Sequence, residues 1–282
     1  MKLQTTLAGC LQVEGVALHC GERTRVTLHP APPRTGFIFV SSGVEIPARV
    51  AHVVDTQLAT TVGRDGATVR TVEHLLATLR GLGVDNVRVE VEGSEIPILD
   101  GCGASWVAQI QSVGIEVQDE PQTVFKVRSA VEVRDGERFA RLEPAVGCQL
   151  DVTVDFDHPS VGRQHLAMSM NSVRFCEEIA WARTFGFERQ VAAMQEMGLV
   201  QGGSLENALV FGDQGPLNPE GLRSPDEPVR HKLFDALGDL ALLGHCLEGR
   251  LVAEMPGHGL IVSLLKAVMD RPESWRIQNR ST

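Results

Sequence analysis

Residues 229–240, VRHKLFDALGDL, have the strongest helical periodicity in this 282-residue sequence. On an α-helix, which turns about 100° per residue, His231, Asp235 and Asp239 share one narrow stripe because each follows the last by one turn. The opposite face is apolar, and it consists of Leu233, Phe234, Leu237, Leu240 and Ala241. The segment therefore predicts a helix that packs with one face and presents three ionisable side chains on the other.

The ionisable stripe of this helix has two interpretations. A neutral imidazole and a carboxylate one turn apart can both face one cation, and nitrogen and oxygen ligands of this kind suit zinc. A charged stripe opposite an apolar face is, on the other hand, more often a solvated helix surface. The helix pattern alone does not decide between a metal site and a surface.

The rest of the chain mixes strand patterns with separate helical segments. Residues 86–91, NVRVEV, place alternate valines on one face, as half-buried strands do. Strands are predicted at residues 25–29, 36–40, 68–70, 86–91, 123–127, 130–133, 139–142 and 149–156. Helices are predicted from Thr71 to Gly81, through Trp106 and Ile110, and at residues 173–182, 188–197 and 228–243. Runs of strands with segregated helices indicate an α+β fold and not a strictly alternating parallel one.

The length of the chain predicts two domains. A chain of 282 residues exceeds the usual single-domain size, and two domains of roughly 100 to 150 residues are the natural expectation. The polar segment 118–122, which contains Pro121, lies between two groups of strand patterns and is predicted to be the linker. We therefore expect an N-terminal α+β domain at residues 1–121 and a C-terminal α+β domain at residues 122–282.

Composition and charge exclude several classes of protein. Hydrophobic residues make up 43% and charged residues 22% of the chain, as in globular proteins with a buried core. The formal net charge of -10 argues against nonspecific nucleic-acid binding, which needs a basic surface. We see neither a signal peptide nor the roughly 18 uninterrupted apolar residues of a membrane span. A cytoplasmic location is therefore expected. The six cysteines form no C-x-x-C pair, so reduced thiols are expected.

Two further short motifs carry reactive side chains. Residues 71–76, TVEHLL, place Glu73 beside His74 in the first turn of a predicted helix, where the flexible Glu can reach the flank of a metal held by the His. The pattern is neither H-E-x-x-H nor its inverse. Residues 255–260, MPGHGL, place His258 in a predicted turn that is rich in Gly and Pro. Each motif taken alone is more often ordinary structure than part of a site.

Taken together, eight motifs resemble those of the UDP-3-O-acyl-N-acetylglucosamine deacetylases, in the same order and with matching gaps. The motifs are GVALHCG (15–21), TVEHLLATL (71–79), SEIPILDG (94–101), ARTFGF (182–187), GGSLENALVF (202–211), NPEGLR (218–223), EPVRHKLFDALGDL (227–240) and PGHGL (256–260). This joint agreement is far more specific than any one motif. The chain departs from the family pattern at Ala17 and Cys20, where Gly and Thr are usual, and at Ile261 and Val262, where an Asn pair is usual.

The resemblance implies a zinc site and an architecture to hold it. The implied ligands are His74, His231 and Asp235, with a fourth position left open, and Fe2+ is an alternative metal for such a donor set. The family fold consists of two similar two-layer α/β-sandwich domains with helices packed between the sheets. Because His74 and the other two ligands lie in different predicted domains, the active site is expected in an interdomain cleft.

The resemblance also implies catalytic roles for four residues. Glu73 corresponds to the general base that takes a proton from water, and His258 to the general acid that protonates the leaving amine. Asp239 corresponds to the carboxylate that hydrogen-bonds and charge-stabilises the imidazolium of His258. The hydroxyl of Thr184 corresponds to a group that stabilises the oxyanion.

The implied substrate has three parts, and the sequence offers candidate contacts for each. Lys232 is expected to face the polar groups of the substrate, and Phe185 is expected to contact the substrate. Asp155 and Phe156 resemble a uracil-contacting pair. An insert near residues 186–211 is expected to form an apolar passage for the acyl chain. The candidate passage residues are Phe187, Val191, Met194, Met197, Leu199 and Leu205. His19 is interpreted as structural.

The resemblance therefore predicts deacetylation of a UDP-linked acylated glucosamine, the committed step of lipid A biosynthesis, by a monomer. Two alternatives remain at this point. One is a zinc hydrolase that acts on another amide, for which the catalytic residues would look the same. The other is an inactive module that binds a nucleotide sugar, although mere binding needs neither the base Glu73 nor the acid His258.

Overall fold

A computed structural model describes residues 2–280 of the chain. Of these, residues 2–121 contain two α-helices and ten strands. Their bounds are β1 (Leu3–Leu7), β2 (Leu11–Val16), β3 (Arg23–Pro30), β4 (Phe37–Ser41), β5 (Val44–Pro47), β6 (Val53–Asp55), β7 (Thr61–Arg64), β8 (Ala67–Val69), α1 (Glu73–Leu82), β9 (Val87–Glu92), α2 (Gly103–Val113) and β10 (Ile115–Pro121). The helix α1 ends where Gly83 takes a left-handed conformation with φ of 82°, which Gly adopts without strain.

The second half has the same mixture of elements. Their bounds are β11 (Thr123–Val127), β12 (Val131–Asp135), β13 (Arg138–Glu143), β14 (Cys148–Phe156), β15 (Gly162–Ser169), α3 (Ser172–Arg174), β16 (Phe185–Phe187), α4 (Glu188–Glu196), β17 (Leu209–Gly212), β18 (Gly215–Pro216), α5 (Glu227–Leu240), β19 (Cys246–Glu254), α6 (His258–Met269) and β20 (Trp275–Asn279). A π-helical turn, Phe175–Ile179, follows α3, and short 3-10 turns cover Val50–His52, Ala241–Leu243 and Pro272–Ser274.

Two larger sheets organise the chain. The first has the strand order β2-β3-β9-β4-β5, and the second contains β12, β13, β19, β11 and β20 together with β14 and β15. In β9 the residues Val87, Val89 and Val91 are buried and alternate with more exposed ones, as the sequence pattern predicts. The mixed helices and sheets confirm the predicted α+β class.

The helices α1 and α5 are buried in the core. They pack against each other, α5 also packs against β14, and α6 packs against β12 and β13. Eight of the ten residues of α1 and twelve of the fourteen residues of α5 are buried. The ionisable stripe of α5 is therefore not a solvated surface, and the surface interpretation of its sequence pattern is wrong.

The predicted domain boundary coincides with a change of pairing partners. Among residues 2–280, strands up to Pro121 pair only with one another, and strands from Thr123 onward likewise. Buried hydrophobic side chains from both halves nevertheless form one continuous cluster. The division into domains at residue 121 stays a prediction.

Two predictions of local structure are wrong. The expected linker at residues 118–122 lies mostly in β10, which pairs antiparallel with β1. Because β10 is largely exposed, it has no apolar alternation to read from the sequence. The expected turn around His258 is instead the start of α6, because the helix begins directly after Pro256 and Gly257 and a wide apolar face follows. The buried residues on that face are Leu260, Ile261, Val262, Leu264, Leu265 and Val268.

A membrane span would need a helix of about 18 or more apolar residues. Among the described residues, no helix is long and apolar enough to cross a membrane.

Candidate metal centre and catalytic cavity

The helices α1 and α5 bring three predicted metal ligands together. His74, His231 and Asp235 each offer one ligand atom, and these atoms lie within 4.8 Å of one another. The Nε2 atoms of His74 and His231 are 3.5 Å and 3.2 Å from Oδ1 of Asp235. All three side chains are buried. Three converging N and O donors of this type form a site that a divalent cation such as zinc can occupy.

We call His74, His231 and Asp235 the metal cluster. Neighbouring groups orient its donor atoms. Nδ1 of His231 lies 3.1 Å from the carbonyl oxygen of Ala182, so it donates its proton there and presents Nε2 to the cluster. Oδ2 of Asp235 accepts a hydrogen bond from Nζ of Lys232 at 2.8 Å, which leaves Oδ1 for the two imidazoles. Burial alone would raise the pKa of Asp235, but His231 and Lys232 outweigh it and hold that pKa well below its ordinary value. The donor set therefore includes an ionised carboxylate, which fits a cation.

Beside the metal cluster, Glu73, Thr60, Asp239 and His258 form a closed ring. Nδ1 of His258 lies 2.8 Å from Oδ2 of Asp239, and Nε2 of His258 lies 3.7 Å from Oε1 of Glu73. The other oxygen of each carboxylate is held by Thr60, whose N–H donates to Oε2 of Glu73 at 3.0 Å and whose hydroxyl donates to Oδ1 of Asp239 at 2.6 Å. All four residues are buried.

The surroundings within the ring shift the pKa values of Glu73 and His258. Burial of Glu73 raises the pKa of its carboxyl above the ordinary value of 4.5, despite the nearby His258. Burial alone would lower the pKa of His258, but the carboxylates of Asp239 and Glu73 overcome this effect and raise it to about 10. At neutral pH the imidazole of His258 is therefore protonated and can give up a proton.

A cavity of about 760 Å³ is lined by members of both the metal cluster and the ring formed by Glu73, Thr60, Asp239 and His258. Among the predicted site residues, those that line it are Glu73, His74, Thr184, Phe185, Met194, Lys232, Asp235 and His258. His231 and Asp239 are not among its lining residues. The cavity also has apolar lining residues, which include Phe187, Val191, Val200, Leu205 and Val210. Eight of the twelve predicted site residues therefore line one cavity.

The predicted uracil contacts lie in a different groove. Asp155 and Phe156 line an open groove of about 770 Å³ at the end of β14, together with His158, Arg163 and Glu254. The ring of Phe156 packs edge-on against Phe185 with centroids 5.3 Å apart, so the two spaces meet at this aromatic pair. Two other predicted passage residues behave differently from Met194: Met197 is 60% exposed, and Leu199 is buried without lining the cavity.

The segment that carries Thr184 and Phe185 is held by a buried ion pair. Nε of Arg183 lies 2.9 Å from Oε1 of Glu227, and Nη2 lies 3.1 Å from Oε2, a fork of two charge-assisted hydrogen bonds. The main-chain N–H of Arg183 also donates to Glu227, and that of Thr184 donates to the carbonyl of Gly101 at 2.7 Å. The ion pair thus anchors the start of α5 to the loop that carries Thr184, which fixes this edge of the cavity.

The structure also shows contacts to the predicted site residues that the sequence did not predict. Thr60 donates hydrogen bonds to Glu73 and Asp239, and the carbonyl oxygen of Ala182 lies 3.1 Å from Nδ1 of His231. Neither a single Thr nor a main-chain oxygen forms a pattern that can be recognised in a sequence. His19 lines the cavity and is buried, and burial lowers its pKa to about 4, so it is neutral. A buried carboxylate, Glu95, accepts hydrogen bonds from the main chain of His19 and Cys20.

The departures from the family pattern lie outside the lining of the large cavity. Ala17 is fully buried, and Cys20 is partly buried in the turn that Glu95 holds. Ile261 and Val262 lie on the buried face of α6. None of the four residues lines the cavity of about 760 Å³.

Comparison with known proteins assigns the chain to a family. The model of the family described as LpxC, UDP-3-O-acyl N-acetylglycosamine deacetylase, matches residues 4–270. A protein of Myxococcus xanthus (strain DK1622) named UDP-3-O-acyl-N-acetylglucosamine deacetylase is 47% identical over 278 residues, which cover 97% of this chain and 88% of that protein. A protein of the same name from Anaeromyxobacter dehalogenans (strain 2CP-C) is 48% identical over 276 residues, which cover 97% of this chain and 90% of that protein. The chain belongs to the UDP-3-O-acyl N-acetylglycosamine deacetylase family, as its motifs predict.

Proposed function

We propose that the chain is a zinc-dependent deacetylase that hydrolyses the acetamide of UDP-3-O-(3-hydroxyacyl)-N-acetylglucosamine to a free amine and acetate, the committed step of lipid A biosynthesis. Family membership supports the reaction and the substrate class. The observation that carries the proposal is that a group of three possible metal donors lies beside a cavity that the buried side chains of Glu73 and His258 also line.

In this proposal His74, His231 and Asp235 hold the metal. A bound zinc ion supplies Lewis-acid polarisation of the amide carbonyl and makes water more acidic. Fe2+ suits the same donor set, since imidazole and carboxylate ligands accept both metals.

Glu73 acts as the general base. Its Oε1 is the oxygen that Thr60 leaves free, and its raised pKa makes the carboxylate a better proton acceptor than an exposed Glu. Oε1 of Glu73 takes the proton of the attacking water. The carbonyl oxygen, which becomes negatively charged, is stabilised in part by the hydroxyl of Thr184 at the edge of the cavity.

His258 acts as the general acid. Expulsion of the amine needs a proton on nitrogen, because an amide anion is too poor a leaving group. Nδ1 of His258 is bonded to Asp239, so Nε2 is the nitrogen that delivers the proton. Asp239 keeps the ring in this orientation and stabilises its positive charge.

The remaining substrate contacts follow the shape of the cavity. The ammonium of Lys232 lies near the ring of Phe185 and beside the metal cluster, where polar groups of the sugar would bind. The apolar wall that includes Met194 would take the acyl chain. The groove at Asp155 and Phe156 would take the uracil by hydrogen bonding and stacking. The chain is proposed to act as a monomer.

Metal analysis combined with acetate release tests this function. We expect the purified chain to bind about one zinc ion and to release acetate from the UDP-sugar substrate, and we expect Glu73→Ala to retain the metal but lose turnover. Metal binding without turnover in the unmutated chain would favour an inactive nucleotide-sugar module. Equal rates on substrates with and without a long acyl chain would favour an amide hydrolase of another specificity.

A further inference from the structure

Thr60 lies in the segment between β6 and β7 and uses every polar group it has. Its side chain is fully buried. Its N–H and hydroxyl donate to Glu73 and Asp239, and its carbonyl accepts a hydrogen bond from the N–H of Val72 at 3.2 Å. The last contact ties the main chain of Thr60 to the residue that precedes α1.

Thr60 binds one oxygen of each of two carboxylates, those of Glu73 and Asp239. Each carboxylate has one oxygen on Thr60 and the other directed at His258, at 2.8 Å for Asp239 and 3.7 Å for Glu73. A carboxylate held at one oxygen cannot rotate about its terminal torsion, so the orientation of the other oxygen is fixed. Thr60 therefore determines which oxygen of each residue is left to exchange or stabilise a proton.

The hydrogen bond from the Thr60 hydroxyl to Asp239 also joins two distant parts of the chain. Thr60 and Glu73 precede the predicted boundary at residue 121, whereas Asp239 and His258 follow it. Thr60 thus couples the proposed base Glu73, through its main-chain N–H, to Asp239, through its hydroxyl. Asp239 in turn orients the proposed acid His258.

We propose that Thr60 is a positioning residue that aligns Glu73 and the Asp239–His258 pair for proton transfer, an inference that rests on the proposed function. Thr60 does not line the cavity, and it is not one of the three proposed metal ligands. Its hydroxyl acts through Asp239 and its N–H acts through Glu73. Removal of the hydrogen-bond partners of metal ligands typically changes activity by about 10- to 100-fold, and we expect an effect of similar size for Thr60, which holds the proposed base and the partner of the proposed acid.

The chain offers a matched pair of threonines for the test. Thr60→Val removes the hydroxyl that reaches Asp239 and keeps the shape and the N–H. Thr61→Val is the matched control. It makes the same change at the adjacent residue, whose hydroxyl is buried without a hydrogen-bond partner among residues 2–280. We expect Thr60→Val to lower kcat by about 10- to 100-fold with little change in KM, because only the transition state uses the alignment. Thr61→Val should leave kcat unchanged, and Thr60→Ser should recover most of the lost rate.

A second measurement does not depend on turnover. In metal-free protein, a proton on Nδ1 of His258 that is donated to Oδ2 of Asp239 at 2.8 Å should give a downfield NMR resonance. Thr60→Val should shift or broaden this resonance, whereas Thr61→Val should leave it in place. In an Asp239→Asn background, Thr60→Val should cost much less activity than it does alone, because the two residues act through one contact.

The outcomes separate the inference from the function on which it rests. Should Thr60→Val keep its full kcat, or lose activity only in step with melting temperature and zinc content as a structural defect would, the positioning role is wrong. If Thr60→Val does not fold, Thr60→Ala removes the same hydroxyl without adding a methyl group and is compared in the same way. If Glu73→Gln and His258→Gln are both fully active, the proposed function itself fails.

Discussion

Gly238 on α5 lies directly against the main chain of Glu73 on α1, so that a Cβ atom at position 238 would stand only 2.1 Å from the Glu73 carbonyl oxygen. The two helices can cross this closely only because position 238 has no side chain. The crossing sets the distance between His74 on one helix and His231 and Asp235 on the other. The metal cluster therefore depends on a residue that carries no chemistry.

We expect Gly238→Ala to separate the helices and disrupt the metal cluster. Overpacking of this kind costs about 1 to 3 kcal/mol of stability, and the shift should also weaken zinc binding. Thermal unfolding and zinc content by mass spectrometry measure the two effects. Gly9→Ala is the control, since the nearest atom to a Cβ there is 4.0 Å away. Unchanged zinc content in Gly238→Ala would contradict the dependence of the cluster on this crossing.

Removal of the charge at Asp239 should move the alkaline limb of the pH profile. A general acid works only while protonated, so kcat/KM should fall as the pH rises through the pKa of His258, which is about 10 with Asp239 and Glu73 beside it. In Asp239→Asn, burial lowers that pKa with less opposition, so the fall should begin at lower pH. The raised pKa also stabilises the folded state below pH 6.5, and this stabilisation is lost as the pH approaches about 10.

The surface pair Asp151 and His165 provides the control for this experiment. Its atoms are also 2.8 Å apart, but His165 is exposed and neither residue lines the cavity. Asp151→Asn should leave the pH profile unchanged. An alkaline limb that stays in place in Asp239→Asn would show that His258 is not the acid.

Loss of one metal ligand should remove the stabilisation that zinc gives. A ligand that binds only the folded state, at a concentration 100 times its Kd, adds about 2.7 kcal/mol of stability. Zinc should therefore raise the melting temperature of the metal-free chain but not that of Asp235→Asn. His245→Gln is the control, because this histidine contacts Thr123 away from the cluster. A similar shift in all three proteins would indicate that zinc binds elsewhere.

Truncation of Met194 should weaken binding of long acyl chains selectively. Met194 lines the apolar part of the cavity, and burial of a side chain of this size against an apolar ligand contributes about 1.5 to 3 kcal/mol, on the order of 10- to 100-fold in kcat/KM. Met194→Ala should show this loss with a long-chain substrate and little change with a short-chain one. Met197→Ala, an exposed neighbour on the same segment, should be neutral with both. Equal losses on both substrates would place the acyl chain elsewhere.

Replacement of Arg183 by Lys should destabilise the protein although it keeps the charge. Lys cannot reproduce the two-pronged contact with Glu227, and damage to a buried ion pair costs about 3 to 5 kcal/mol when one partner is lost. Arg174→Lys is the control, because its fork to Glu178 is partly exposed and worth only about 0.5 kcal/mol. Urea unfolding of the two variants gives the comparison. Equal stabilities would mean that the buried pair does not anchor α5.

Local spacing along the chain was sufficient to predict the helices that carry the metal ligands. Four-residue spacing placed His231, Asp235 and Asp239 on one face of α5, and the apolar pattern after Thr71 located α1, because helix periodicity depends on neighbours within one or two turns. The α+β class followed from the same kind of pattern. The motifs, taken jointly, also identified the family.

The convergence of those side chains on one cavity depended on packing between segments far apart in the chain. No local pattern distinguished the buried stripe of α5 from a solvated one, because burial is set by what packs on top of it. Thr60 reaches Asp239 across 179 positions of sequence, and Gly238 meets Glu73 only where two helices cross. Spacing within a short stretch of sequence cannot predict such contacts, because they form only when segments far apart in the chain pack together in the folded core.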